Sequence, residues 1–226
     1  DSSATSALVL DSGVTSLQTF SVGFQNHEFD ETQWQQRMSD HLGTDHTSVT
    51  VNDDDIASRF EDVVWHAESV LTRTAPAPLY QLSKLVADND YKVVLTGEGA
   101  DEIFAGYNIF RETKVRSFWA RDIESSSRSS LLTKLYPYLK KSPPAFLRKF
   151  YGSGLDDLSD PFFSHRPRWA NGQSLTGLFN EPVSETLEER LKLPDRFDSW
   201  GPVSKAQYLE MTLFLPGYLL SSQGDR

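Results

Sequence analysis

An α/β fold with a doubly wound parallel sheet, followed by a mainly helical region, is predicted from three observations. Strand-like and helix-like periodicities alternate through the first hundred residues. A short apolar run, Tyr91 to Leu95, is bounded by turn signals, and a glycine-rich turn follows it directly. Alternating strands and helices imply a parallel sheet whose ligands sit at the carboxyl ends of the strands.

Taken in order, Ser2 to Leu10 is small, apolar and helical in character. Phe20, Val22 and Phe24 then alternate with Thr19, Ser21 and Gly23, the period-2 signal of a strand. A helix is expected from about Glu31 to His41, stopped by Gly43. Thr47 to Val51 reads as a second strand. Ile56, Phe60, Val63, Val64 and Ala67 recur at helical spacing behind the N-cap candidates Asp53 to Asp55. Arg73 to Pro78, with two prolines, predicts an irregular entry to a helix over Leu79 to Ala87. Tyr91 to Leu95 suits a strand buried on both faces of the sheet. Beyond Tyr107 the pattern becomes helical: Arg111 to Lys141 with a serine loop at Ser125 to Ser130, then Glu185 to Leu193 and Ser204 to Phe214, punctuated by prolines. The expected division is an α/β core over 1–110 and a mainly helical part over 111–226.

The chain has 226 residues, 38% of them hydrophobic, enough for a sizeable core. Its net charge of -10 argues against a nucleic-acid surface, which needs clustered Lys and Arg. A small anion can still be held by backbone N–H groups. With no cysteine there is neither a disulfide framework nor a thiol nucleophile, which fits a reducing, cytoplasmic setting. No apolar run reaches the ~18 residues of a membrane span. The opening Asp1-Ser2-Ser3 lacks an initiating Met, so a piece of a longer protein is expected.

The chemistry concentrates in Leu95 to Tyr107. Gly97 and Gly99 permit close approach of a ligand to the backbone. Glu98, Asp101 and Glu102 bring three carboxylates to one helix start, on one face if all three are helical. Bound Mg²⁺ would turn their repulsion into coordination; the plain alternative is that they cap and solvate a helix.

Leu95-Thr96-Gly97-Glu98-Gly99-Ala100-Asp101-Glu102-Ile103-Phe104-Ala105-Gly106-Tyr107 resembles the signature of glutamine-dependent asparagine synthetases, with Ala105 where that family usually has Gly. Thr19 to Phe24, Thr72 to Ser83 and Leu215 to Arg226 are similar to further segments of the family. Asp1-Ser2-Ser3 matches the end of its pyrophosphate-binding Ser-Gly-Gly-x-Asp-Ser-Ser loop. The resemblance implies a Rossmann-like, PP-loop synthetase domain truncated at both ends, without the first strand, the lysine that supports the intermediate and the N-terminal glutaminase domain. It implies ATP and Mg²⁺ as cofactors and conversion of aspartate, or a similar acid, to its amide through an acyl-adenylate.

By the same resemblance Val22, Gly23, Thr96 and Gly97 line the adenosine. Asp1, Ser2 and Ser3 serve the pyrophosphate, Asp1 and Asp101 the metal. Glu98 and Asp101 are the catalytic candidates, and Thr72 and Arg73 face the acid substrate. The planar fork of Arg73 matches a carboxylate. The glutaminase domain of the parent chain is the implied partner, and a homodimer is allowed. The fragment alone is expected to be inactive. Two alternatives stay open: a relative acting on another carboxylate, such as a cyclase or polysaccharide amidotransferase, and a nucleotide-binding module without turnover.

Other residues invite blander readings. The five histidines show no metal-site spacing. Ser221 and Ser222 lack a nucleophile-elbow context, and Gly97-x-Gly99 lacks the third glycine of a dinucleotide fingerprint. Phe162, Phe163 and Trp169 are expected to pack the helical region rather than stack a ligand.

Overall fold

A computed structural model describes residues 1–28, 30–136, 143–180 and 190–224. They form two compact units, Asp1–Ala100 with the stretch from Leu213 onward, and Asp101–Thr212.

The first unit is α/β. Its elements are α1 (Ser2–Asp11), β1 (Gln18–Phe24), α2 (Thr32–Leu42), β2 (Asp45–Val51), α3 (Asp53–Ala67) and α4 (Pro76–Asp88). β1 and β2 pair in parallel from Gln18↔Asp45 to Phe24↔Val51, with α2 as the crossover that parallel pairing requires. Gly43 at φ 66°, ψ 35° ends α2, a left-handed position that suits glycine. In β1 it is Ser21 and Gly23 that are buried, while Phe20, Val22 and Phe24 are half-buried. Ser21 tolerates burial because its hydroxyl meets His46 Nε2 at 3.0 Å, and Thr19 meets Nδ1 of the same ring at 2.9 Å.

Three local expectations are corrected. The cap of α3 is Asn52, one residue before the predicted aspartates. Its Oδ1 accepts from Asp55 N at 2.9 Å, and Asp55 Oδ2 accepts from Asn52 N at 3.0 Å, a capping box. Asp53 to Asp55 instead fill the first turn, where the helix N-terminus favours negative charge. The prolines at 76 and 78 belong to α4 itself, because the first-turn N–H groups a proline lacks have no intrahelical partner to lose.

Third, the buried strand over Tyr91 to Leu95 is not formed. Val93, Val94 and Leu95 are 79%, 48% and 72% exposed, and the sheet has two strands, β1 and β2. A central parallel strand needs backbone partners and helices on both faces. Here the segment is anchored by an edge contact of Tyr91 on Phe20, ring centroids 5.5 Å apart.

The chain continues with α5 (Ala100–Phe104), α6 (Asn108–Trp119), α7 (Ser126–Ser129), α8 (Leu132–Leu135), α9 (Pro144–Tyr151) and α10 (Arg166–Gln173). Two 3₁₀ turns, Ser174–Leu178 and Phe197–Ser199, precede α11 (Pro202–Leu209), which runs into the π-helical stretch Glu210–Gly224. Part of the predicted serine loop is therefore a helical turn, capped by Ser125 on Arg128 N. Of the expected helices, 137–141 and 185–189 lie outside the described residues, as do 225–226 of the last segment similar to the family.

Trp119, Leu132, Leu147, Tyr151, Leu155 and Phe163 form the larger core of the second unit. Ile109, Phe110 and Ala206 form a smaller one. As expected, Phe162 and Phe163 are buried, and Trp169 packs on Phe162. Beside the larger core lies a charged network. Glu112 accepts from Arg168 Nη1 at 2.6 Å and Nη2 at 2.8 Å, from Tyr151 Oη at 3.0 Å, and from the Tyr136 hydroxyl. Arg116 donates to the carbonyls of Tyr151, Ser153 and Phe163. Burial pulls its guanidinium down to about 10, still charged at neutral pH, with Glu112 acting in the opposite sense.

Candidate functional site

The glycine-rich turn meets the start of the chain. A Cβ on Gly97 would lie 2.8 Å from both Asp1 Cβ and Ser2 N, so only glycine lets the two segments touch. Asp1, Ser2 and Gly97, assigned from separate motifs, are thus brought together. Asp1 is the N-cap residue of α1 but makes no side-chain capping bond. The first N–H groups of α1 therefore lack that partner, with Ser2 and Ser3 on the same turn.

Thr96 turns its hydroxyl back to accept from Glu98 N at 3.4 Å, and Ala100 N closes on Gly97 O at 3.2 Å. Gly99 takes φ +92°, with Leu215 Cδ2 3.5 Å from where a Cβ would stand. This left-handed residue, together with a helix that starts only at Ala100, removes Glu98 from the helical face it was expected to share with Asp101 and Glu102. Glu98 is exposed.

On α5 the other two acids diverge. Asp101 is half-buried, its Oδ1 occupying the space a Cβ on Gly106 would need. Glu102 is fully buried: Oε1 accepts from Tyr107 Oη at 3.0 Å, while Oε2 has no hydrogen-bond partner among the described residues. Ala105, standing where the related signature has Gly, takes φ 58°, a conformation that favours glycine.

Val22 and Gly23 lie within β1. Gln35 Nε2 donates to Val22 O at 3.0 Å, and a Cβ on Gly23 would come within 2.5 Å of Thr32 Oγ1. The end of β1 is clamped by Asp30, whose Oδ1 accepts from Thr32 Oγ1 at 2.5 Å and Phe24 N at 3.2 Å. Those bonds hold its carboxyl below the usual range, the Thr32 hydroxyl contributing most.

Thr72 and Arg73 are exposed but not loose. Thr72 Oγ1 donates to Tyr218 Oη at 3.0 Å, and the Arg73 guanidinium lies 4.7 Å over the Tyr218 ring. Tyr218 in turn stacks on Phe214, centroids 5.1 Å apart. Sequence reasoning missed Tyr218 and Asp30. The Asp30-x-Thr32 turn pattern was available as a signal for Asp30; a tertiary contact such as that of Tyr218 leaves none.

Nucleotide phosphates fit the side-chain-uncapped N-terminus of α1 and its serines. Among the described residues no three His, Asp or Glu side chains gather into a metal cluster. A Mg²⁺ arriving on substrate phosphates needs only one or two carboxylates, so the donor set is compatible with such an ion. No described helix is long and apolar enough to cross a membrane.

The chain belongs to the asparagine synthase family, whose model matches residues 1–226. It is a PP-loop synthetase domain of the glutamine-dependent asparagine synthetase type. Among similar proteins is amidase chyE of Penicillium rubens, 29% identical over 93% of this chain and 33% of its own length. A Mycobacterium tuberculosis protein provisionally named a glutamine-hydrolyzing asparagine synthetase is 26% identical over 97% of this chain and 33% of its own. Glutamine-hydrolyzing asparagine synthetase 1 of Bacillus subtilis is 39% identical over 43% of this chain and 15% of its own. The chain spans about a third of the length of the relatives that match most of it. No solved structure matches it.

Proposed function

We propose that this chain is the ATP-using part of an enzyme that makes an amide from a carboxylic acid, with aspartate the first candidate substrate and asparagine its product. The observation that carries the reading is the seating of Gly97 on Asp1 and Ser2, since both motifs are assigned to one nucleotide. The 1–110 core and the helical 111–226 part are taken as one synthetase domain, fed with ammonia by a glutaminase domain elsewhere in the parent chain. A homodimer is compatible with this arrangement.

In the proposed reaction the acid's carboxylate oxygen attacks the α-phosphorus of ATP, and the bond to pyrophosphate breaks. Ammonia then attacks the acyl carbon, AMP departs, and a proton is lost. Val22, Gly23, Thr96 and Gly97 hold the adenosine. Ser2, Ser3 and the N–H groups of α1 hold pyrophosphate, where fixed dipoles offset the charge on the leaving group. Asp1 and Asp101 would hold Mg²⁺, which would supply charge to offset that of the phosphates. Glu98 orients the acyl-adenylate or takes the ammonium proton. Arg73, oriented by Tyr218, pairs with the acid's carboxylate. The isolated fragment is expected to be inactive.

Pyrophosphate–ATP exchange tests the roles. In the full-length parent, Glu98→Gln and Asp101→Asn are expected to lose it by at least about a hundredfold; retention at the parental rate overturns them. A second reading, an acid other than aspartate, is favoured by the amidase relatives, which align along 93% of the chain. Comparing amide formation from aspartate with that from other carboxylic acids separates the two readings. Mg·ATP binding with no turnover on any acid would instead identify a nucleotide-binding module.

A further inference from the structure

Ser164, His165 and Glu210 are buried in the second unit and joined by a chain of hydrogen bonds that none of the chemistry above uses. Ser164 Oγ lies 2.8 Å from His165 Nδ1, and His165 Nε2 lies 2.9 Å from Glu210 Oε1. The imidazole also packs on Trp169, four residues along, with ring centroids 5.1 Å apart. These contacts fix the direction of each hydrogen. A carboxylate only accepts, so Nε2 carries the hydrogen of the neutral ring and Nδ1 keeps the lone pair. The Ser164 hydroxyl therefore donates to Nδ1. Ser164 also lies in the wall of a cavity of about 410 Å³, to which Leu158, Phe163 and Trp200 give apolar surface. That volume falls within the ~300–1,000 Å³ range of small-molecule sites.

A serine hydroxyl donating to an imidazole whose second nitrogen is held by a carboxylate is the arrangement that activates a serine as a nucleophile. The two ring nitrogens exchange their commoner parts here, with Nδ1 as the base and Nε2 as the oriented N–H, which leaves the roles of the three groups intact. We propose that Ser164 is the nucleophile of a second activity, acyl transfer from a small ester with an apolar acyl group. His165 is its general base, and Glu210 is a positioning residue that holds the ring in the required tautomer. Ser164 Oγ attacks the acyl carbon while its proton passes to Nδ1. The ester C–O bond breaks, and the leaving alcohol takes that proton. Water, giving a proton to the same Nδ1, then attacks the acyl-serine, releases the acid and restores the hydroxyl. All three residues belong to the Asp101–Thr212 unit, and none is assigned to amide formation, so this activity stands or falls apart from the proposed reaction.

The test is labelling of the full-length parent with an alkyl fluorophosphonate, which phosphonylates activated serines and spares ordinary ones. Peptide mass spectrometry is expected to find the label on Ser164. Hydrolysis of p-nitrophenyl butyrate should fall at least about tenfold in Ser164→Ala. Ser159→Ala, in the same cavity wall, should change neither result. Glu210→Gln offers Nε2 a donor as well as an acceptor, so it releases the tautomer and should slow labelling by about a hundredfold or more. Glu210→Asp, which keeps the carboxylate, should label within about tenfold of the parental rate, a rescue that packing alone does not supply. No label on Ser164, unchanged hydrolysis in Ser164→Ala, or labelling of Glu210→Gln at the parental rate each overturns the proposal.

Discussion

Two single residues of the 95–107 segment carry opposite backbone demands. Gly97 cannot accept a side chain, because a Cβ would meet Asp1 and the Ser2 backbone at 2.8 Å. Gly97→Ala is expected to cost about 1–3 kcal/mol in denaturant unfolding, as overpacking does. It should also raise the KM for ATP of the full-length parent more than that for the acid. Ala105 presents the reverse case. At φ 58° it sits in a conformation that costs a non-glycine residue roughly 1–2 kcal/mol, part of which glycine loses again in the unfolded chain. Ala105→Gly should therefore stabilise the protein by about 0.5–1 kcal/mol, read as a higher denaturation midpoint at constant slope. Arg73 belongs with these two, since its stacking on Tyr218 needs a planar cation. Arg73→Lys is expected to raise the KM for the acid about tenfold with a smaller change in kcat.

The elements of the first unit owe their ends to side chains as much as to periodicity. Asn52→Ala removes the acceptor that holds Asp55 N and should cost about 1 kcal/mol. Asp53→Asn, which changes only first-turn charge, should cost a few tenths up to about 1 kcal/mol. The end of β1 responds to pH through Asp30. Its folded-state carboxyl lies below the ordinary value of 3.8, so its contribution is present above that pH and is lost as pH falls through the lowered folded value. Unfolding measured from pH 6 down to pH 2 should show the parent and Asp30→Asn converging at the acid end. A gap that stays constant across that range contradicts the assignment.

At the scale of the whole molecule, the helical unit combines a hydrophobic core with a charged network. Glu112 is almost fully buried, and Arg168 grips both of its oxygens while remaining partly exposed. Arg168→Met leaves that carboxylate with tyrosine hydroxyls alone and should cost roughly 2–3 kcal/mol, below the full value for a buried pair because Arg168 is partly solvated. Adding Glu112→Gln should cost less than the sum of the single changes, the mark of a shared interaction. Thermal unfolding of the four variants measures the coupling.

What was legible in the residue order was local and covalent: the two parallel strands, the Gly43 stop, the helix after the glycine turn, and the 95–107 signature that places the chain in its family. Hydrophobic periodicity and turn chemistry act over a few residues, so they survive without knowledge of the fold. Periodicity misjudged Tyr91 to Leu95, because an apolar run states only that a segment can be buried. Which backbone lies beside it is a long-range matter. The same limit hid Tyr218 behind Arg73 and Arg168 on Glu112. By itself the sequence determined most of the element types and the family, and it nominated residues for the chemistry. Tertiary structure alone decided that Gly97 rests on Asp1 and Ser2, that Glu102 turns inward to Tyr107, and that Ala105 bears a left-handed backbone, because these depend on contacts between segments rather than on local order.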